Sequence, residues 1–155
     1  MASGSIRRRC TLAAASSLLL LAGTAGAATA AVAAPLPQAA DPGQVLELVN
    51  QARTEAGCQP LSVDPKLTAA AQEYANDTTT NHVGTDGSSV PDRLKKAGAE
   101  FNAYAENFAQ NSGDAKAAVD AWLKSPGHAG NIKNCSYAKT GVAVSGDRTV
   151  QVFTN

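Results

Sequence analysis

All thirteen acidic residues of this chain lie beyond residue 40, and that asymmetry separates a leader from the part that must fold. Arg7, Arg8 and Arg9 form a basic cluster, Leu12 to Leu21 an apolar stretch centred on four consecutive leucines, and Ala, Gly and Thr fill the remainder up to Ala34. That order is the order of a signal peptide. Ala31-Val32-Ala33 and Ala28-Thr29-Ala30 both carry the small residues of a cleavage site, and the two stay open as alternatives. Residues 1–33 are therefore expected to be a signal peptide, 34–43 a flexible Pro- and Ala-rich lead-in, and 44–155 the folded domain. Leu12 to Ala34 is long enough to cross a bilayer, which takes about 20 residues. Its second half is Ala, Gly and Thr, however, which gain little from entering lipid. Arg8-Arg9 also raises twin-arginine export, and Cys10 precedes the apolar core, the wrong side for a lipoprotein. The expectation is export, with no stable membrane insertion once the leader is removed.

Three of the thirteen Lys and Arg leave with the leader, so ten positive charges face thirteen negative ones, a net of −3. That balance offers no basic patch and argues against nucleic acid or an anionic membrane as partner. Roughly 115 residues remain, a single-domain size with about two-thirds of its surface to bury. Two cysteines remain with them, Cys58 and Cys135. In an exported chain such a pair is most simply a disulfide, and neither cysteine has the close spacing of a structural zinc site.

Two Asp-Pro steps, Asp41-Pro42 and Asp64-Pro65, open helices. Asp caps the first turn, and Pro at its start loses an N–H that has no partner there. Val45, Leu48, Val49, Ala52 and Ala56 recur at helical spacing until Gly57, and Leu67, Ala70, Ala71, Tyr74 and Ala75 form a second stripe. The small alanines predict close packing against a sheet. Asn81 to Ser89 reads as loop, followed by a short amphipathic turn from Asp92 to Gly98. Glu100 to Gln110, with Phe101, Tyr104 and Phe108, suits a strand. Asp114 restarts helix through Trp122, Ser125-Pro126 starts another short turn to Ile132, and Thr140 to Ser145 with Thr149 to Thr154 read as a hairpin around Gly146-Asp147. Helices packed with a small antiparallel sheet make an α+β sandwich.

Three ionisable residues stand out. The chain has two histidines: His82 opens a Gly-rich loop, and His128 follows Ser125-Pro126-Gly127. The third residue is Glu106, in Ala105-Glu106-Asn107. Imidazole and carboxylate are common metal ligands and common acid–base partners, although a single loop histidine is more often a hydrogen-bonded support. Trp122 shares a helix face with Ala118 and Val119 and reads as core. Asn107 and Asn131 read equally as partners of buried backbone groups or of a ligand.

Asn50-Gln51-Ala52-Arg53, Gly57, Pro60-Leu61, Asp64 and Leu67 open a pattern that continues with His82, Gly84 to Ser89, Asp92-Arg93-Leu94 and Ala97-Gly98. Ala105-Glu106-Asn107 follows, then Trp122 to His128 with Asn131-Ile132, then Gly141-Val142 and Gln151-Val152-Phe153. In this order, from about Val45 to Phe153, the sequence resembles bacterial members of the CAP superfamily, the cysteine-rich secretory, antigen 5 and pathogenesis-related 1 proteins. The resemblance implies a three-layer α-β-α sandwich with an open cleft. In eukaryotic relatives that cleft carries two His and two Glu able to hold a divalent metal, often zinc. His82 would be the first of those His and Glu106 the Glu of the Glu-Asn motif. Ser125 stands where the second Glu falls and Arg148 where the second His falls, while bacterial members carry a His at the position of His128. Ala129 replaces an expected Arg, and Val150 an expected Trp. Some secreted bacterial members also carry a cysteine pair where Cys58 and Cys135 sit.

The resemblance therefore implies a metal set of His82, Glu106 and His128, with zinc the favoured ion and water completing its shell. Function divides into two expectations. The first is a non-catalytic extracellular binding module for a lipid, glycan or protein. The second is a metal-dependent hydrolase, a peptidase among the options. No motif for an activated Ser or Cys nucleophile is present, so binding is the favoured expectation.

Overall fold

The computed structural model describes residues 40–155; the expected signal peptide and residues 34–39 of the lead-in lie outside the described residues. Helix α1 spans Pro42–Glu55, with Asp41 as its cap accepting from the Gln44 N–H at 2.8 Å. Pro42 and Gly43 thus belong to a helix, and Ala40 before them is buried, so the ordered domain starts a few residues before 44. Helix α2 spans Pro65–Ala75 behind the Asp64 cap, and α3 spans Val90–Lys96 behind a capping box of Ser89 and Asp92. Helix α4, Ala115–Lys124, starts at Asp114, whose carboxylate accepts from the Ala117 N–H, and α5, Pro126–Ile132, follows directly at Ser125. At Asp41, Asp64, Ser89 and Asp114 the cap side chain replaces a partner that the first turn lacks, whereas Ser125 makes no side-chain capping bond.

The strands are β1 (Ser62–Val63), β2 (Tyr104–Gln110), β3 (Lys139–Ser145) and β4 (Arg148–Thr154). They form one sheet in the order β1-β3-β4-β2. The three long strands pair antiparallel, as expected, but the two-residue β1 pairs parallel with β3, so the sheet is mixed at one edge. The strand expected from Glu100 starts only at Tyr104. Before it, the N–H groups of Asn102 and Ala103 bond to the side chain of Asn155 and not to a strand.

Side chains alternate across the sheet. Val142 and Phe153 join Val45, Val49, Val119, Trp122 and Ile132 beneath α1, α4 and α5. Ala143, Val150 and Val152 join Leu67, Ala71, Tyr74 and Leu94 beneath α2 and α3. Both faces are covered, which makes the expected three-layer α-β-α sandwich. Trp122 is fully buried. Helix α2 packs close to the sheet, and Gly141 allows it: a Cβ there would lie 2.1 Å from the backbone of Leu67 and Thr68.

Two long-range ties clamp the layer of α1. Cys58 and Cys135 are disulfide-bonded, 77 residues apart with Cα atoms 4.9 Å from each other. Beside them the fully buried Arg53 donates to the carbonyls of Gln59, Ile132, Asn134 and Tyr137 at 2.7–3.0 Å. Burial without a carboxylate partner pulls its pKa down, and the four carbonyl dipoles replace the water it has lost.

Candidate functional site

Strand β2 is an edge of the sheet, and its Glu-Asn pair points to opposite faces. Glu106 turns toward α2 and α3, and Asn107 toward α5. The Asn107 side chain donates to the His128 carbonyl at 3.2 Å and accepts from the Asn131 side chain at 2.9 Å, so it fastens the turn that carries His128 to the sheet. The two asparagines thus bond to each other and to the α5 backbone.

On the other face, Glu106 is the meeting point of three elements. Its side chain is 2% exposed. Arg93 of α3, equally buried, places Nη2 between both carboxylate oxygens, 3.1 Å from Oε1 and 2.8 Å from Oε2. His82 Nδ1 lies 2.9 Å from Oε1. An ionised carboxylate can only accept, so Nδ1 carries the proton and Nε2 is left as the acceptor of a ring that is 41% exposed. Buried charge is tolerable here because it is paired and hydrogen-bonded at short distance.

Tyr74, from α2, organises the rest. It is fully buried; its hydroxyl accepts the His82 backbone N–H at 2.8 Å and its ring stacks beside the imidazole, 6.2 Å between centroids. The Arg93 guanidinium lies over the same ring at 4.4 Å and also donates to the His82 carbonyl at 3.3 Å. These contacts hold His82 at φ 65°, a left-handed backbone that costs a non-Gly residue about 1–2 kcal/mol. Strain of this kind persists only where surrounding contacts impose it. Asp77 secures the same loop by accepting from the N–H groups of Thr78, Thr79 and Thr85. The Thr85 bond foremost holds its carboxyl well below the ordinary range.

His128 is held to the sheet through its carbonyl by Asn107, and burial first, then the electrostatic influence of His82, lowers its pKa from 6.5. Ser125, at the position of the absent Glu, is the junction of α4 and α5 and makes no side-chain capping bond. Arg148, at the position of the absent His, points elsewhere. It donates to the Tyr74 and Ala75 carbonyls at 3.1–3.2 Å and lies 4.4 Å over the Phe108 ring, a cation at the C-terminal end of α2. The residues that sequence reasoning passed over are Arg93 and Tyr74. Each read as one residue of an amphipathic helix, and only the fold turns both onto Glu106 and His82.

The sequence model of the cysteine-rich secretory protein family, CAP, matches residues 46–154. The chain is a member of the CAP family. The membrane protein YlbC of Bacillus subtilis is 33% identical over 114 residues, covering 71% of this CAP chain and 33% of the relative. YkwD of the same organism is 29% identical over 123 residues, covering 77% and 48%. The chain thus spans a third to a half of the length of these curated relatives. Among solved structures, an extracellular SCP-domain protein of Bacillus anthracis superposes with a TM-score of 0.71 at 26% identity, over 73% of this chain and 39% of that one. An outer surface protein of Borrelia burgdorferi superposes with a TM-score of 0.64 at 24% identity, over 76% and 97%, and supports the fold.

The zinc set that the family resemblance implied for this CAP domain does not fit the residues present. His82 and Glu106 do meet, while the one hydrogen bond of His128 to this strand runs from Asn107 on its opposite face to the His128 carbonyl. Yet the Glu106 oxygens already share the Arg93 guanidinium, and among the described residues no three His, Cys, Asp or Glu side chains converge in a metal-binding arrangement. A divalent ion on this carboxylate would sit against a fixed positive charge.

Proposed function

We propose that this CAP domain is an exported extracellular binding module whose cleft, as the family resemblance implies it beside the exposed His82 ring, receives a lipid, glycan or protein partner without chemical turnover. The observation that carries the reading is the closed circuit of Arg93, Glu106 and His82. Its charges neutralise one another inside the protein, and it offers a ligand one imidazole acceptor but no activated nucleophile. The leader composition and the extracellular description of the Bacillus anthracis relative support export. No described helix is long and apolar enough to cross a membrane.

A hydrolytic alternative rests on one contact. A histidine held through Nδ1 by a buried carboxylate, with Nε2 free, is the arrangement of a general base. Among the described residues no Ser, Thr or Cys side chain is hydrogen-bonded to that ring. The experiment that separates the readings is a ligand census: the exported protein is purified and its co-purifying organic molecules identified by mass spectrometry, with His82→Ala in parallel. A defined ligand depleted in the variant supports binding. Ligand-free protein that cleaves a peptide or ester in a His82-dependent way supports the alternative.

A further inference from the structure

We propose that Arg93 is the resident cation of the cleft, a side-chain replacement for a metal ion that fixes Glu106 and His82 in place and closes the position to divalent metals. The case rests on geometry and charge. Zinc would need to come within about 2.0–2.2 Å of a Glu106 oxygen, and a guanidinium nitrogen already stands 2.8 Å and 3.1 Å from those two oxygens. That guanidinium cannot swing aside. Its side chain is 1% exposed, its Nη1 donates to the carbonyls of His82 and Ser88, and its plane rests on the Tyr74 ring.

The inference extends to His82. A metal bound through Nδ1 would need that nitrogen bare, whereas the carboxylate that Arg93 holds in place demands a proton on it. Arg93 therefore acts on the imidazole through Glu106, as a positioning residue that sets the tautomer and leaves Nε2 as the acceptor facing a ligand. This role is independent of whether the cleft binds or hydrolyses its partner.

The test is calorimetric titration of the purified protein with zinc chloride at pH 7.5, together with nitrogen NMR of the His82 ring. Wild type is expected to show no saturable heat up to about 1 mM zinc, a range that still detects weak binding, and a proton on Nδ1. Arg93→Met, which keeps the packing on Tyr74 but removes the charge, is expected to bind zinc at least about tenfold more tightly. That gain should vanish on adding Glu106→Gln. Saturable zinc heat in wild type that disappears in Glu106→Gln would overturn the proposal, as would folded Arg93→Met with no gain. Should Arg93→Met fail to fold, Arg93→Lys and wild type decide. A proton on Nδ1 in both, with no zinc heat, supports the proposal, and a bare Nδ1 in wild type overturns it.

Discussion

Arg93 Nη2 lies 2.8 Å from Glu106 Oε2, an ion pair whose two side chains are 1% and 2% exposed and which joins helix α3 to the edge strand β2. Removing either partner strands a buried charge, and the cost of that is about 3–5 kcal/mol. Glu106→Gln and Arg93→Met are each expected to lose stability in this range in urea unfolding. The double variant should recover part of the loss, because it leaves no orphaned charge. A double variant that loses the sum of the two would contradict the pairing.

Gly141 and Leu67 define the tightest approach between α2 and the sheet. A methyl group on Gly141 would stand 2.1 Å from backbone atoms of Leu67 and Thr68, where no flexible side chain can yield. Gly141→Ala is expected to cost at least about 3 kcal/mol, the upper part of the overpacking range. Gly130→Ala, inside α5 with nothing within 4 Å of the new methyl, should instead gain about 0.5–1 kcal/mol from helix propensity. Thermal unfolding of the two variants side by side checks both signs.

The Cys58–Cys135 bond closes a loop of 77 residues, which in the chain-entropy treatment stabilises the fold by about 4–5 kcal/mol. Non-reducing peptide mapping should recover the two cysteine peptides joined. Reduction, or Cys58→Ser with Cys135→Ser, should lower the unfolding midpoint. The buried Arg53 bonds to Ile132, Asn134 and Tyr137 are independent of the sulfurs, so the reduced protein is expected to be destabilised but still folded under mild conditions.

The acid side of the stability profile has two expected steps. His128 titrates below its ordinary 6.5 in the folded protein, through burial and then the electrostatic influence of His82. The unfolded chain therefore binds the proton first, and stability falls as pH drops from about 6.5 toward the lower folded value. Asp77 is depressed from 3.8 by its loop hydrogen bonds, the Thr85 N–H foremost. Its contribution is intact above 3.8 and lost as pH falls below that toward its folded value. Urea midpoints across pH for wild type, His128→Asn and Asp77→Asn should show the upper step missing in the first variant and the lower step reduced in the second, where Asp86, Asp92 and Asp120 remain depressed.

Local chemistry made the helix starts, the hairpin and the α+β class legible, because each has a short-range cause: the caps at Asp41, Asp64 and Asp114, the turn at Gly146, the alternation in β3 and β4. The three-layer arrangement was implied by the family resemblance. Strand β1 was not legible, since two residues carry no period and its pairing depends on where β3 passes. The site divides in the same way. His82, Glu106 and His128 could be singled out by residue type and motif, but a motif does not say what else reaches the carboxylate. Arg93 lies 13 residues before Glu106 on a separate helix, and although Asp92-Arg93-Leu94 belongs to the family pattern, that run does not say what the cation pairs with. Only after α3 packs against β2 does its burial force it to find a counter-charge, and the only buried carboxylate among the described residues is Glu106.

Turnover is the most direct test of the central claim that the cleft binds without chemistry. The exported protein, its disulfide intact, would be incubated with a peptide library and a panel of ester substrates, with and without zinc, beside His82→Ala and His128→Ala of matching circular dichroism. No product above the buffer blank in any sample is the predicted result. Product formed by wild type and lost in both variants would contradict the claim and turn the His82–Glu106 pair into catalytic machinery.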